Sequence, residues 1–211
     1  MSWLGVGLPF STRMTVIRLA GGIWLHSPTP PVDRLCAAIE RLGEVRFLVA
    51  PSRLHDTWIG AWRQRYPRAL AWAAPGMRGA ARFDRALLDG PPPEWRPDID
   101  LVAVRGDLLT EVEFWHRPSR TLILTDLIEN VEPARVSCRH LRLLMRLGGV
   151  LDPDGKTPYD LRLTFLRHRP ALRATLATML AWHPERIVLA HGRWYRENAE
   201  AELRRAFRWL L

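Results

Sequence analysis

Two stretches of this chain are apolar at consecutive positions and then stop on one ionisable residue: TLILTD, ending at Asp126, and RIVLAH, ending at His191. A strand with one wet face alternates apolar and polar side chains, and neither Leu122, Ile123, Leu124 nor Ile187, Val188, Leu189, Ala190 alternates. Such strands must be covered on both faces, so layers have to stand on either side of the sheet that holds them. The same kind of ending recurs where GIWLH closes on His26 and where FLVAPSRL leads into His55 and Asp56. Loops at the ends of buried strands are where a rigid sheet can hold ligands in fixed geometry.

The remaining elements follow from local pattern. RMTVIRLAGGIWLHSP reads as a hairpin around Ala20-Gly21-Gly22, and VRFLVAP, ALAWAAP and IDLVAV as further strands. PPVDRLCAAIERLG carries Val32, Leu35, Ile39 and Leu42 at helical spacing, with proline at its start and Gly43 at its end. HDTWIGAWRQRYP predicts a helix that places Trp58, Ile59 and Trp62 on one core-facing side. GPPPEWRPD is a loop, because consecutive prolines fit neither a helix interior nor a central strand. TEVEFWHRPSRTLILTD predicts a hairpin turning at residues 117–120, with His116 a packed or turn-stabilising imidazole. Helices are expected over about 134–147, 170–182 and 195–210, the last after a strand at 186–190. This order fits neither a pure βαβ repeat nor an all-β chain. It fits an α/β protein of two sheets between outer helices, and 211 residues suffice for one domain over 1–211 with a full core.

No apolar run reaches the roughly 18–20 residues that span a membrane. The first residues, MSWLGVGLPFSTRM, lack a basic stretch followed by an apolar one, so no signal peptide is expected. Cys36 and Cys138 form no CxxC pair, and free thiols in a cytoplasmic protein are the reading they support. The net charge of +9 is uneven: residues 1–134 carry 16 basic and 15 acidic side chains, residues 135–211 carry 15 and 7. Arg135, Arg139, Arg142 and Arg146 recur at helical spacing, with Leu141, Leu144 and Met145 mostly on another stripe. A helix of that kind either packs on the core with a solvated charged face or lies on an anionic membrane surface. No nucleic-acid-binding fingerprint occurs, and the ten tryptophans are spread along the chain rather than interleaved with the arginines, which argues against a nucleic-acid partner.

Imidazoles together with carboxylates suit zinc, iron or manganese; calcium wants oxygen alone. Each strand-end residue taken singly also has an ordinary structural role, Asp126 as a helix cap for instance. Recurrence at four strand ends makes them worth treating as one site.

The stretches TRMTVIRLAGGIWLHSP, FLVAPSRLHDTWIGAW, TEVEFWHRPSRTLILTDL and IVLAHG resemble the metallo-β-lactamase superfamily, most closely an uncharacterised bacterial branch of it, and span about residues 12 to 192. The resemblance implies an αββα sandwich with a metal site along one edge, here with a helical C-terminal insertion. It implies that Asp126 matches the metal-bridging aspartate and His191 the last histidine ligand. The His-x-His-x-Asp-His loop of the superfamily is degenerate: it reads Pro51-Ser52-Arg53-Leu54-His55-Asp56, with Pro51 and Arg53 in place of the first two histidines. Glu111 is the nearest candidate for a further ligand, and His26 stands where a strand-end aspartate is frequent. A two-metal centre needs about six ligands, so the expectation is a single-metal site of His55, Asp126 and His191, with Asp56, Glu111 or His26 supplementary. Asp56 would orient or deprotonate water if it is not a ligand. Arg53 would either hold an anionic substrate group or replace a lost metal's charge by pairing with Asp126 or Asp56. The function implied is metal-dependent hydrolysis, or related metalloenzyme chemistry, of an unidentified small molecule. The alternative is a metal-free member acting as a ligand-binding or interaction module.

Overall fold

The computed structural model describes residues 2–3, 6–7, 11–77, 83–87 and 90–210. After a short ladder of β1 (Ser2–Trp3) and β2 (Val6–Gly7), the first sheet has five strands. β3 (Thr15–Leu19) pairs antiparallel with β4 (Gly22–His26). β5 (Val45–Ala50), β6 (Leu70–Ala73) and β7 (Arg85–Ala86) then add in parallel. The second sheet is formed by β8 (Ile99–Arg105), β9 (Thr110–His116), β10 (Thr121–Leu124) and β11 (Arg186–Leu189), in the spatial order β11-β10-β9-β8. Only the β10–β11 pair of this sheet is parallel. Right after His191 the chain doubles back, and Tyr195 exchanges both backbone hydrogen bonds with Ile187.

Period-two alternation sorts the strand residues into three apolar layers. Trp24, Phe47 and Val49 of the first sheet meet Leu101, Val112, Phe114 and Ile123 of the second, with Trp72 and Trp95 in the same layer. Ile23, Leu25, Leu48 and Ala50 point the other way, against Cys36 and Ile39 of α1 (Asp33–Glu40) and Ile59 and Trp62 of α2 (Ile59–Arg65). Leu122, Leu124, Ile187 and Leu189 pack outward on the far side, under α4 (Tyr159–Thr164), α5 (Arg169–Ala181) and α6 (Ala199–Ala206). The result is the α/β, αββα sandwich expected, and the unbroken apolar runs are explained by cover on both faces. A small satellite core of Val131, Val136, Met145, Val150 and Leu151 seats α3 (Arg139–Gly148) in the insertion between β10 and β11.

Several local readings shift. The helix expected from about 134 begins at Arg139, because Pro133–Arg135 form a separate 3-10 turn and Val136 is extended. Arg135 therefore is not on the helix. The last helix begins at Ala199 instead of 195, since residues up to Tyr195 are held against β11. The α4 helix was not expected at all. Trp62 is fully buried, but Trp58 is 40% exposed, being the residue before α2 rather than part of its inner face. His116 bonds Ser119 at 2.7 Å and so ties the β9–β10 turn. Cys36 and Cys138 are free thiols, the first buried and the second exposed. No helix among the described residues is long and apolar enough to cross a membrane.

Candidate metal centre

Strand register brings Asp126 and His191 together. β10 and β11 run side by side with Leu124 opposite Leu189, so both chains leave the sheet at the same end, and each ionisable residue lies two positions further on. His55 arrives from the other sheet, in the turn after β5, where its N–H donates to the Ser52 carbonyl at 3.1 Å. All three side chains are buried. Nε2 of His55 and Nε2 of His191 each lie 3.1 Å from the same oxygen, Oδ1 of Asp126. The two imidazole centroids are 5.3 Å apart, and the three potential ligand atoms all fall within 4.8 Å of one another.

Each ring is oriented through its other nitrogen. Nδ1 of His55 lies 2.6 Å from the hydroxyl of Ser27, and Nδ1 of His191 lies 3.1 Å from the carbonyl oxygen of Ser11. Ser27 is the residue after His26, just past the end of β4, and sits at φ 51°, a left-handed backbone conformation. A carbonyl can only accept, so it holds the proton of His191 on Nδ1 and leaves Nε2 facing Asp126. A bare ring nitrogen and a carboxylate oxygen are both acceptors. Between them a cation is required, either a second proton on the ring or a metal ion. With a proton there, burial pulls the pKa of His191 down, but the hydrogen bond and charge of Asp126, with Glu129 behind, raise it overall to about 9. Burial likewise pushes Asp126 up, and the two imidazoles outweigh it and hold the carboxyl far below the ordinary carboxylate range.

The donor set fits a metal ion chemically. Two imidazoles and a carboxylate from three separate loops, each steadied by a second partner, match borderline cations such as zinc or ferrous iron. Tetrahedral coordination at about 2.0–2.2 Å separates neighbouring donors by roughly 3.4 Å, close to the two observed 3.1 Å spacings.

The other expected site residues stand elsewhere. Glu111 is fully buried, but its Oε1 accepts the backbone N–H groups of Thr125, Asp126 and Leu127 at 3.1, 2.9 and 3.2 Å, together with the Thr125 hydroxyl. It grips the loop that carries Asp126 and lies outside the three-residue set. His26 alternates with Ile23 and Leu25 into the layer between the sheets, where it stacks on Trp24 at 5.4 Å and meets Phe114 edge-on at 5.2 Å. Burial, then the neighbouring His55, lower its pKa to about 3, so it stays neutral. Arg53 is exposed and forms no ion pair with Asp126; its guanidinium does not fill the gap between the histidines. Asp56 is half-buried, and its carbonyl accepts the N–H of Ile59 at the start of α2.

Four contributors were not anticipated. Ser11 and Ser27 act through contacts 180 and 28 residues along the chain, which no local pattern reveals. Glu129 is pushed up to about 8 by burial and then by the like charge of Asp126, while the charge of His191 pulls it back. It is thus an acid placed within electrostatic reach of the centre. Gly192 had a readable signal, a glycine directly after His191. Its φ is 81°, and an added Cβ would lie far inside contact distance of the Asn130 carbonyl oxygen, where the two loops cross. Two residues beyond His191 begins a cavity of about 690 Å³ lined by Arg13, Glu132, Arg193, Trp194, Tyr195 and Arg196. The Arg13 and Arg196 guanidinium carbons lie 5.6 and 5.8 Å from the Trp194 ring centroid.

Comparison with known proteins agrees with this architecture. Solved structures that resemble the chain include a metallo-beta-lactamase from Pontibacter korlensis, at TM-score 0.62 and 12% identity over 100% of this chain and 91% of that one. The DIM-1 metallo-beta-lactamase exposed to ceftazidime matches at TM-score 0.61 and 13% identity, over 94% and 84%. The chemotaxis sensor ODP, solved as a peroxy diiron species, matches at TM-score 0.57 and 15% identity, over 95% and 86%. The chain therefore has the metallo-β-lactamase fold. Within it, the profile of a "Domain of unknown function (DUF4336)" matches residues 6–78, the part that holds His26, Arg53, His55 and Asp56. No curated protein matches the sequence.

Proposed function

We propose that the protein is a metal-dependent hydrolase, or a closely related metalloenzyme, with one metal ion held by His55, Asp126 and His191. The observation that carries this reading is the pair of contacts of His191. Ser11 fixes the proton on Nδ1, and Nε2 then faces the Asp126 oxygen across a gap that needs a positive charge. A zinc or ferrous ion there would supply Lewis acidity and bring the pKa of a coordinated water towards about 7.

The chain's own residues divide the remaining work. Ser27 and the Ser11 carbonyl keep the two imidazoles in the orientation that exposes both Nε2 atoms. Glu111 holds the Asp126 loop through three backbone amides. We assign Asp56, half-buried and adjacent to His55, to orienting water. Glu129, whose pKa near 8 leaves it able to take and return a proton at neutral pH, is the second acid–base candidate. The cavity past His191 is our assignment for the substrate, with Arg13, Arg196 or the exposed Arg53 meeting an anionic group. The free thiols support a reducing, cytoplasmic setting.

A second reading, a metal-free ligand-binding module, draws on the same gap. A proton on His191 also satisfies it, and the loop lacks the two histidines replaced by Pro51 and Arg53. Metal content separates the two. Protein purified without chelator should hold about one equivalent of zinc, iron or manganese per chain, lost in His191→Ala. Less than about a tenth of an equivalent, unchanged after adding each of the three metals, would overturn the enzyme reading in favour of the module.

A further inference from the structure

We propose that α3 is a membrane-docking helix that lies flat on an anionic lipid surface. The helix turns most of its apolar surface outward. Leu143, Leu144 and Leu147 are 57%, 64% and 73% exposed, and on the inner side only Met145 is buried, with Leu141 half-buried beside it. At about 100° per residue, the three leucines occupy an arc of roughly 100°. Arg139, Arg142 and Arg146 occupy an adjoining arc of roughly 60° on one flank. A core helix would show the reverse arrangement, leucines in and arginines alone in water.

Charge identifies the occupant. From Pro133 to Leu151 the chain carries Arg135, Arg139, Arg142 and Arg146 and no acidic residue. The acids at either end of this stretch are engaged: Glu132 pairs with Arg135 at 3.0 Å and Asp152 with Arg193 at 3.3 Å. An exposed aliphatic stripe edged by arginines matches the boundary between acyl chains and phosphate headgroups, leucines entering and guanidinium groups reaching back to the phosphates. Ten residues lie on such a surface and do not cross it. A protein partner of ordinary composition would explain the leucines but not the uncompensated arginine edge. Arg142 donates to the Val136 carbonyl at 2.7 Å and helps hold the helix in place, so Arg139 and Arg146 are the arginines to vary.

Flotation of the intact protein with vesicles of phosphatidylcholine alone, and of phosphatidylcholine with a quarter phosphatidylglycerol, tests the assignment without involving the metal centre. Binding should require the anionic lipid and weaken in high salt. Leu144→Glu with Leu147→Glu should abolish it. Arg139→Gln with Arg146→Gln should reduce it roughly 25-fold, at about fivefold per charge. All four positions are exposed, so the variants should keep the wild-type circular dichroism and melting temperature. Sedimentation equilibrium supplies the competing outcome. A wild-type dimer that the leucine pair dissociates, with no vesicle binding, would overturn the proposal and give the face to a second copy. A monomer indifferent to both vesicle types would overturn it as well.

Discussion

Oε1 of Glu111 accepts the backbone N–H of Asp126 at 2.9 Å, so one buried carboxyl group holds in place the residue that presents another. The same oxygen takes the amides on either side, which makes the loop after β10 a cradle closed around a single acceptor. Glu111→Ala would leave three amides and a hydroxyl without a partner in a site closed to water. The expected cost is about 3 kcal/mol or more, with loss of metal at the centre. Glu111→Gln keeps the accepting oxygen and should retain most of both. Urea melts and metal analysis on the two variants check this, and equal damage from both would contradict it.

The hydroxyl of Ser27 touches His55 but not the carboxylate, so Ser27→Ala isolates ring orientation. Metal affinity should fall 10- to 100-fold while the melting temperature of the chelated protein changes little. A competition titration against a zinc indicator measures it. Unchanged affinity would mean that the ring is held by packing alone.

Near neutral pH the response is read from two of the groups that the fold raises above their ordinary values. His191 goes from 6.5 to about 9, and Glu129 from 4.5 to about 8. A raised folded-state pKa contributes stability that is complete below the unfolded value and lost as pH climbs through the folded one. The chelated protein should therefore melt at steadily lower temperature as pH rises above about 6.5, beyond which the depressed His26 is neutral in both states, to about 9. Metal needs the proton of Nε2 removed, so its binding should release a proton below about pH 9 and tighten as pH rises. Thermal scans across this range, with and without zinc, show both trends. A flat profile for the chelated protein would count against the charged His191–Asp126 pair.

Gly192→Ala puts a methyl group where the Asn130 carbonyl lies, at a backbone angle that disfavours it. The loop must move, at a cost of roughly 2–3 kcal/mol, and His191 moves with it. Near-normal metal content in this variant, measured beside its melting temperature, would show that the crossing is looser than the contacts imply.

Much of the frame was readable because burial leaves a period. The alternation of β4 sends Ile23 and Leu25 to one side and Trp24 and His26 to the other. Applied to His26, that same rule points it between the sheets, towards Trp24 rather than the His55–Asp126–His191 cluster. Strand-end position alone does not distinguish a residue inside the last rung from one just past it, and His55, Asp126 and His191 are all of the second kind. Glu111 was found as a neighbour of the site, but its work is done through backbone amides, which sequence does not display. The leucines of α3 defeated the usual inference from amphipathicity. A helix with a strong apolar stripe has one buried side in an isolated globule, and only the tertiary packing reveals that this stripe points outward.

The rung shared by Leu124 and Leu189 separates two things that evolution usually has to change together. Everything from Leu127 to Glu185 is inserted between two neighbouring strands whose ends already meet. Lengthening, shortening or replacing that segment leaves Asp126 and His191 at the same spacing, provided the Asn130 crossing persists. Descendants of this chain are thus free to trade one set of surroundings for another around an unaltered carboxylate–imidazole pair.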